Sequence, residues 1–96
     1  MESRMSLEAI ILDIKILLAA RGYSWDDSVQ DKNALIYRQC VVYGATLKGY
    51  KTPAIAKVLN KTTMGLYNTK KGIKLALEGY NKELNSLLFL VDCRLT

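Results

Sequence analysis

The sequence predicts one all-α domain of five to six helices that contains a helix-turn-helix. Three observations carry that expectation. Apolar residues recur at i, i+3, i+4 and i+7 along most of the chain. No run alternates apolar and polar residues over strand length. Ser, Asp, Thr and Gly stand where the periodic runs begin and end. Ninety-six residues, half of them apolar, suit a single domain over 1–96 and argue against disorder.

The first helix occupies the 1–22 region. Leu7, Ile10, Ile11, Ile14, Leu17 and Leu18 make its inner stripe, Ser6 caps it, Glu8 favours its first turn and Gly22 stops it. Leu12 and Ile16 are apolar beyond that stripe, so the helix is wider than one core face needs and offers a homodimer seam. Ser24-Trp25-Asp26-Asp27 starts a short helical turn, with Trp25 as an anchor for the first helix. Asp31 caps a helix running to about Lys48. Ala34, Tyr37, Val41 and Ala45 form one stripe on it, and Ile36, Cys40, Tyr43 and Leu47 a second, which predicts a central position.

Gly49 ends that helix, and Tyr50 falls in an exposed loop among lysines. Thr52 caps the next, with Pro53 at the first helical position, where a missing N–H costs nothing. Ile55, Ala56, Val58 and Leu59 give it about two turns. Asn60 and Lys61 form a break. Thr62 or Thr63 then caps a helix to about Gly79, whose expected core side is Leu66, Ile73, Leu77 and Tyr80. Its third stripe, Gly65, Thr69, Gly72, Ala76 and Gly79, is small throughout. Interior glycines cost about 1 kcal/mol each relative to alanine, so the stripe predicts a close helix–helix approach. The last helix covers Asn81 to about Cys93, with Leu84, Leu87, Leu88 and Val91 inward.

Composition removes several chemistries. There is no histidine, and Cys40 and Cys93 are the only cysteines. Cys/His zinc sites, Ser-His-Asp and Cys-His catalysis are therefore absent, and no metal, cofactor or small-molecule substrate is expected. The cysteines read as small buried apolar residues in a reducing cytoplasm. Asp26, Asp27 and Asp31 cluster without a base or metal spacing and read as caps and solvated loop, not as an enzyme site. Glu8, Asp13 and Lys15 interrupt the first apolar segment and exclude a signal peptide or membrane span. Gly44 to Thr52 comes near a phosphate-binding G-x-x-x-x-G-K-[ST] loop, but Tyr50 is one residue too many and a helix precedes it.

Charge points to a partner. Residues 1–31 hold three cations against six acids, and residues 32–96 hold eleven against three. From Lys48 to Lys74 there are seven lysines and no acid. A one-signed field of that kind attracts polyanions. The short helix, tight turn and longer helix in the same window form a helix-turn-helix over 52–59 and 63–79. In such pairs the first helix rests on the nucleic-acid backbone and the second enters the major groove. Thr52 and Thr62 mark helix starts. Lys57 and Lys61 are placed for phosphates, and Thr62, Thr63, Met64, Tyr67 and Asn68 for base edges. Lys70, Lys71 and Lys74 sit where the groove wall brings phosphates. The expected partner is double-stranded DNA.

The stretch "YRQCVVYGATLKGYKTPAIAKVLNKTTMGLYNTKKGIKLAL" resembles the C-terminal DNA-binding domain of the bacterial replication initiator DnaA, a Trp-repressor-like helix-turn-helix. The family's Arg-Gln pair and following apolar residues match Arg38, Gln39, Val41, Val42 and Tyr43. Its Ser/Thr-capped Ile-Gly helix matches Thr52 and Ile55-Ala56, and its Arg-Asp-His-Ser/Thr-Thr-Val signature aligns with Lys61, Thr62, Thr63, Met64, Gly65 and Leu66. The likeness covers roughly 24–92 and implies that Arg38 and Gln39 hold backbone phosphate. The family's Asp and His are Thr62 and Thr63 here, and its two hydroxyl residues are Met64 and Gly65. A chain this short has no room for an initiator's ATPase. The departures leave a second expectation, a protein-interaction module on the same scaffold that no longer reads bases.

Overall fold

The computed structural model describes residues 5–26 and 31–95. Among these residues there are five helices and no strand: α1 (Leu7–Ala20), α2 (Lys32–Leu47), α3 (Thr52–Val58), α4 (Thr63–Leu77) and α5 (Lys82–Leu95).

Side chains start four of the five helices by accepting orphaned N–H groups. The Ser6 hydroxyl accepts from Ala9 N at 3.1 Å, and the Asp31 carboxylate from Ala34 N at 2.7 Å. Thr62 Oγ1 accepts from Gly65 N at 3.0 Å, and Asn81 Oδ1 from Leu84 N at 3.1 Å. Thr52 does not cap α3. It is the helix's first residue, and Lys51 precedes it in extended backbone with no side-chain cap. Pro53 in the first turn lowers the need for one, because it has no N–H to satisfy.

One termination recurs. Tyr23 N, Tyr50 N, Lys61 N and Tyr80 N each donate five residues back, to Leu18, Ala45, Ala56 and Leu75 carbonyls. That wrap needs a left-handed residue just before the donor. Glycine fills the place after α1, as at Gly22 with φ 85°; after α3 it is Asn60, at φ 56°. Asn tolerates this region better than other L-residues do.

α2 packs against all four other helices. Its two apolar stripes do converge on a central position, with Ala34, Ile36, Tyr37, Cys40, Val41, Val42 and Ala45 all buried. Leu47 leaves the core at 45% exposure, because it lies in the last turn. Around α2 close Ile10, Ile14, Leu17 and Leu18 of α1, Ile55 and Ala56 of α3, and Leu84, Leu87, Leu88 and Val91 of α5. Each such large side chain contributes about 1.5–3 kcal/mol on burial. α1 and α4 share α2 and α5 as neighbours instead of packing extensively on each other.

Some expectations are corrected. Ser24–Asp26 form no helical turn, and Asp27 lies outside the described residues. Trp25 stacks on Tyr37 of α2, with ring centroids 4.8 Å apart, and Lys15 of α1 lies over the same Tyr37 ring. Trp25 is thus tied to α1 through α2. Tyr50 is half-buried, not an exposed loop residue, because its hydroxyl donates to Met5 O at 2.6 Å. Cys93 is exposed, since Leu84, Leu88, Val91 and Leu95 take the inward face of α5. Leu77 and Tyr80 are exposed as well; α4 ends at Leu77, and the chain turns at Gly79 before Tyr80 can reach the core. Leu12 and Ile16 of α1 lie outside the core.

Candidate nucleic-acid interface

Four residues fix the orientation of α4. Leu66, Thr69, Ile73 and Ala76 are buried and point toward α2 and α5. At about 100° per residue, the opposite side of the helix runs through Met64, Lys71 and Glu78. Tyr67 and Lys74 flank that line on one side, Asn68 and Leu75 on the other. All seven are exposed, Met64 at 79% and Tyr67 at 70%. Thr63 is exposed at the start of the same surface. The Thr63–Lys74 flank therefore faces solvent.

The small stripe of α4 makes its close approach at one point. A Cβ on Gly72 would lie 2.5 Å from Nε2 of Gln39 on α2. Gly65 meets only the Thr62 hydroxyl that caps its own helix, and Gly79 meets nothing within 4 Å. Thr69 and Ala76 are buried, and the Thr69 hydroxyl donates to Gly65 O at 3.3 Å.

The approach of α2 and α4 leaves a cleft of about 440 Å³, lined by Arg38, Gln39, Lys61, Gly65, Asn68 and Gly72 among others. Gln39 is only 7% exposed, and its side-chain amide makes no hydrogen bond to a described residue. Arg38 and Lys61 also line a second recess, of about 330 Å³, with Tyr37, Leu59 and Asn60. Further along α4, Tyr67, Lys70, Lys71, Lys74, Leu75 and Glu78 border a groove of about 390 Å³. Residues far apart in sequence, Arg38 and Gln39 against Lys61 and Asn68, thus meet at the first half of α4.

Placement differs for the remaining site residues. Lys57 is exposed in the last turn of α3. Lys70 is half-buried, because its ammonium turns back to donate to the Thr52 hydroxyl. Thr52 is accordingly occupied within the protein and ties α3 to α4. Thr62 is exposed, with its hydroxyl engaged in the α4 cap. The ion pairs Lys32–Glu83 at 3.2 Å and Arg94–Asp13 at 3.6 Å use none of the lysines from Lys48 to Lys74. Their charge is left to act on solvent and solutes.

Sequence reasoning missed Leu75 and Glu78 on the exposed side of α4. The period of the helix contains them, but only once the buried side is known to be Leu66–Thr69–Ile73–Ala76. Among the described residues no cluster of acids or cysteines has metal-site form, and no helix is long and apolar enough to cross a membrane. Compared with protein-family models, curated proteins and solved structures, the chain matches none.

Proposed function

We propose that this chain is a small cytoplasmic protein, not an enzyme, that binds double-stranded DNA with α3 and α4 as a helix-turn-helix. One observation carries the reading. The seven-lysine, acid-free window folds so that the exposed flank of α4 presents Met64, Tyr67, Asn68, Lys71 and Lys74, with Arg38 and Lys61 beside it.

The chemistry suits a duplex. An α-helix fits the major groove, where Asn pairs with adenine and apolar groups touch thymine methyls. Cations at the groove edges neutralise phosphates and fix register. In this reading α4 lies in the groove with Asn68 and Met64 toward bases. Lys57, Lys61, Arg38 and Lys74 meet the backbone on either side. Glu78 marks where the groove contact ends, since a carboxylate repels phosphate. The resemblance to the initiator's DNA-binding domain agrees with this arrangement, with Arg38 and Gln39 toward phosphate.

Fluorescence anisotropy with a labelled duplex over a salt series tests the proposal. Neutralising about five or six phosphates gives a log–log slope near −5. The triple change Lys70→Glu, Lys71→Glu, Lys74→Glu is expected to remove binding to any duplex. Affinity that ignores both salt and these changes would reject the reading.

A second reading has its own support. Leu75, Leu77 and Tyr80 are exposed at the far end of α4, in addition to Met64 and Tyr67. Exposed large apolar side chains concentrated on one element suit contact with another protein. On that reading the scaffold binds a protein and reads no DNA. Light scattering and pull-down, run beside the anisotropy measurement, separate the two.

A further inference from the structure

The residues on the solvent side of α4 do not stand equally toward a groove. We infer that Lys71 is a base reader directed at guanine, and not a phosphate contact like its neighbour Lys74. This rests on the DNA-binding reading above and assigns roles within it.

Leu66, Thr69, Ile73 and Ala76 centre the core-facing direction of α4. Residue 71 lies on the diametrically opposite line, one heptad after Met64 and one before Glu78. A helix in the major groove turns its outermost line to the groove floor and its flanks to the walls, where the phosphates run. Met64 and Lys71 hold the outermost line. Lys74 lies on a flank, about 60° away. Lys70 lies further round still, where its ammonium is held by Thr52 at the α3 side. The three lysines are close in sequence, yet the fold points them at different parts of a duplex.

The neighbours of Lys71 suit the role. Tyr67, Asn68, Lys74 and Leu75 surround it one turn above or below, and no carboxylate stands nearer along α4 than Glu78. Lys71 forms no ion pair with a described residue, so its ammonium is available to a base edge. The chemical target follows from the donor. An ammonium has three N–H groups and no acceptor, which suits the paired acceptors O6 and N7 of guanine and not the mixed edge of adenine.

The test is binding-site selection from a randomised duplex library. It is run on the wild type and on Lys71→Ala and Lys74→Ala, each checked by circular dichroism for an intact fold. The wild type is expected to select a guanine that Lys71→Ala no longer selects, with discrimination at that position falling about tenfold or more. Replacing that guanine by 7-deazaguanine weakens the wild type and leaves Lys71→Ala unchanged. Lys74→Ala is expected to weaken all sequences alike and to shallow the salt slope by about one. If Lys71→Ala behaves like Lys74→Ala, or if the wild type binds with no base preference, the assignment of Lys71 is overturned while DNA binding stands. If no duplex binds at all, both fall together.

Discussion

Nε2 of Gln39 lies where α4 has no side chain, within 2.5 Å of the position a Cβ would take on Gly72. Gly44 is as closely met, but by three apolar side chains: Leu95 Cδ1 at 2.8 Å, Ile14 Cδ1 at 3.2 Å and Val91 Cγ1 at 3.3 Å. The two glycines therefore differ in what must yield. At Gly72 one amide borders an open cleft; at Gly44 three buried groups have nowhere to go.

Gly44→Ala is expected to destabilise the protein by up to about 2 kcal/mol, because overpacking by about 1–3 kcal/mol offsets or exceeds the gain of about 1 kcal/mol from replacing an interior helix glycine. Gly72→Ala is expected to leave stability unchanged or slightly raised, as the Gln39 amide swings into the cleft. Gly72→Leu fills the cleft and displaces Gln39, and is expected to destabilise. Thermal and urea melts of the three variants measure this; equal loss in both alanine variants would contradict the difference in surroundings.

Asn60 holds the turn between α3 and α4 in the left-handed region. Asn60→Gly keeps that backbone and is expected to fold as well as the wild type. Asn60→Val puts a branched side chain there and is expected to cost about 1–2 kcal/mol. Because the turn sets how α4 sits on α3, duplex affinity should fall with it. Unfolding melts and anisotropy on the two variants provide the check.

The chain before α2 is fastened to the start of α5 by Tyr23, Glu83 and Lys32. Tyr23 donates to Glu83 at 2.8 Å, and Lys32 pairs with the same carboxylate at 3.2 Å. The Tyr23 hydrogen bond, followed by the one from Lys32, holds the Glu83 carboxyl below its usual range. A carboxyl lowered on folding adds stability above its unfolded pKa and loses it as pH falls through the folded value. Burial, then the bond to Glu83, pushes the Tyr23 phenol up. That contribution is present below the phenol's unfolded pKa and is lost as pH rises through the raised folded value. Melts from pH 3 to 11 are expected to show both shoulders, and Glu83→Gln is expected to flatten the acid one. The effect is small, because the pair is exposed.

The two cysteines are expected to react very differently. Cys40 is fully buried in α2, and desolvation pushes its thiol up to about 12. Only the thiolate is a nucleophile, so Cys40 stays inert at neutral pH. Cys93 is exposed near the end of α5. A disulfide reagent should titrate one thiol in the native protein and two in denaturant. Protection of Cys93, or reaction of Cys40 before unfolding, would contradict this placement.

The periodic apolar residues and the caps Ser6, Asp31 and Thr62 were enough to place all five helices, because those signals act within one turn and need no partner. The same local period also named the inward faces of α1 and α5 and the centrality of α2. It failed at Leu77, Tyr80 and Cys93, where a helix end or a competing neighbour, not the period, decides who reaches the core. Thr52 and Lys70 show a related limit: eighteen residues apart, they meet only because the turn at Asn60 folds α3 against α4. The gathering of Arg38, Gln39, Lys61 and Asn68 around one cleft is likewise a property of helix packing. Charge along the chain shows where the cations concentrate; which of them lies on the outermost line of α4 and which on a flank depends on the rotation of α4 about its axis. That rotation is set by the burial of Leu66, Thr69, Ile73 and Ala76 against α2 and α5, and no stretch of α4 read alone contains it.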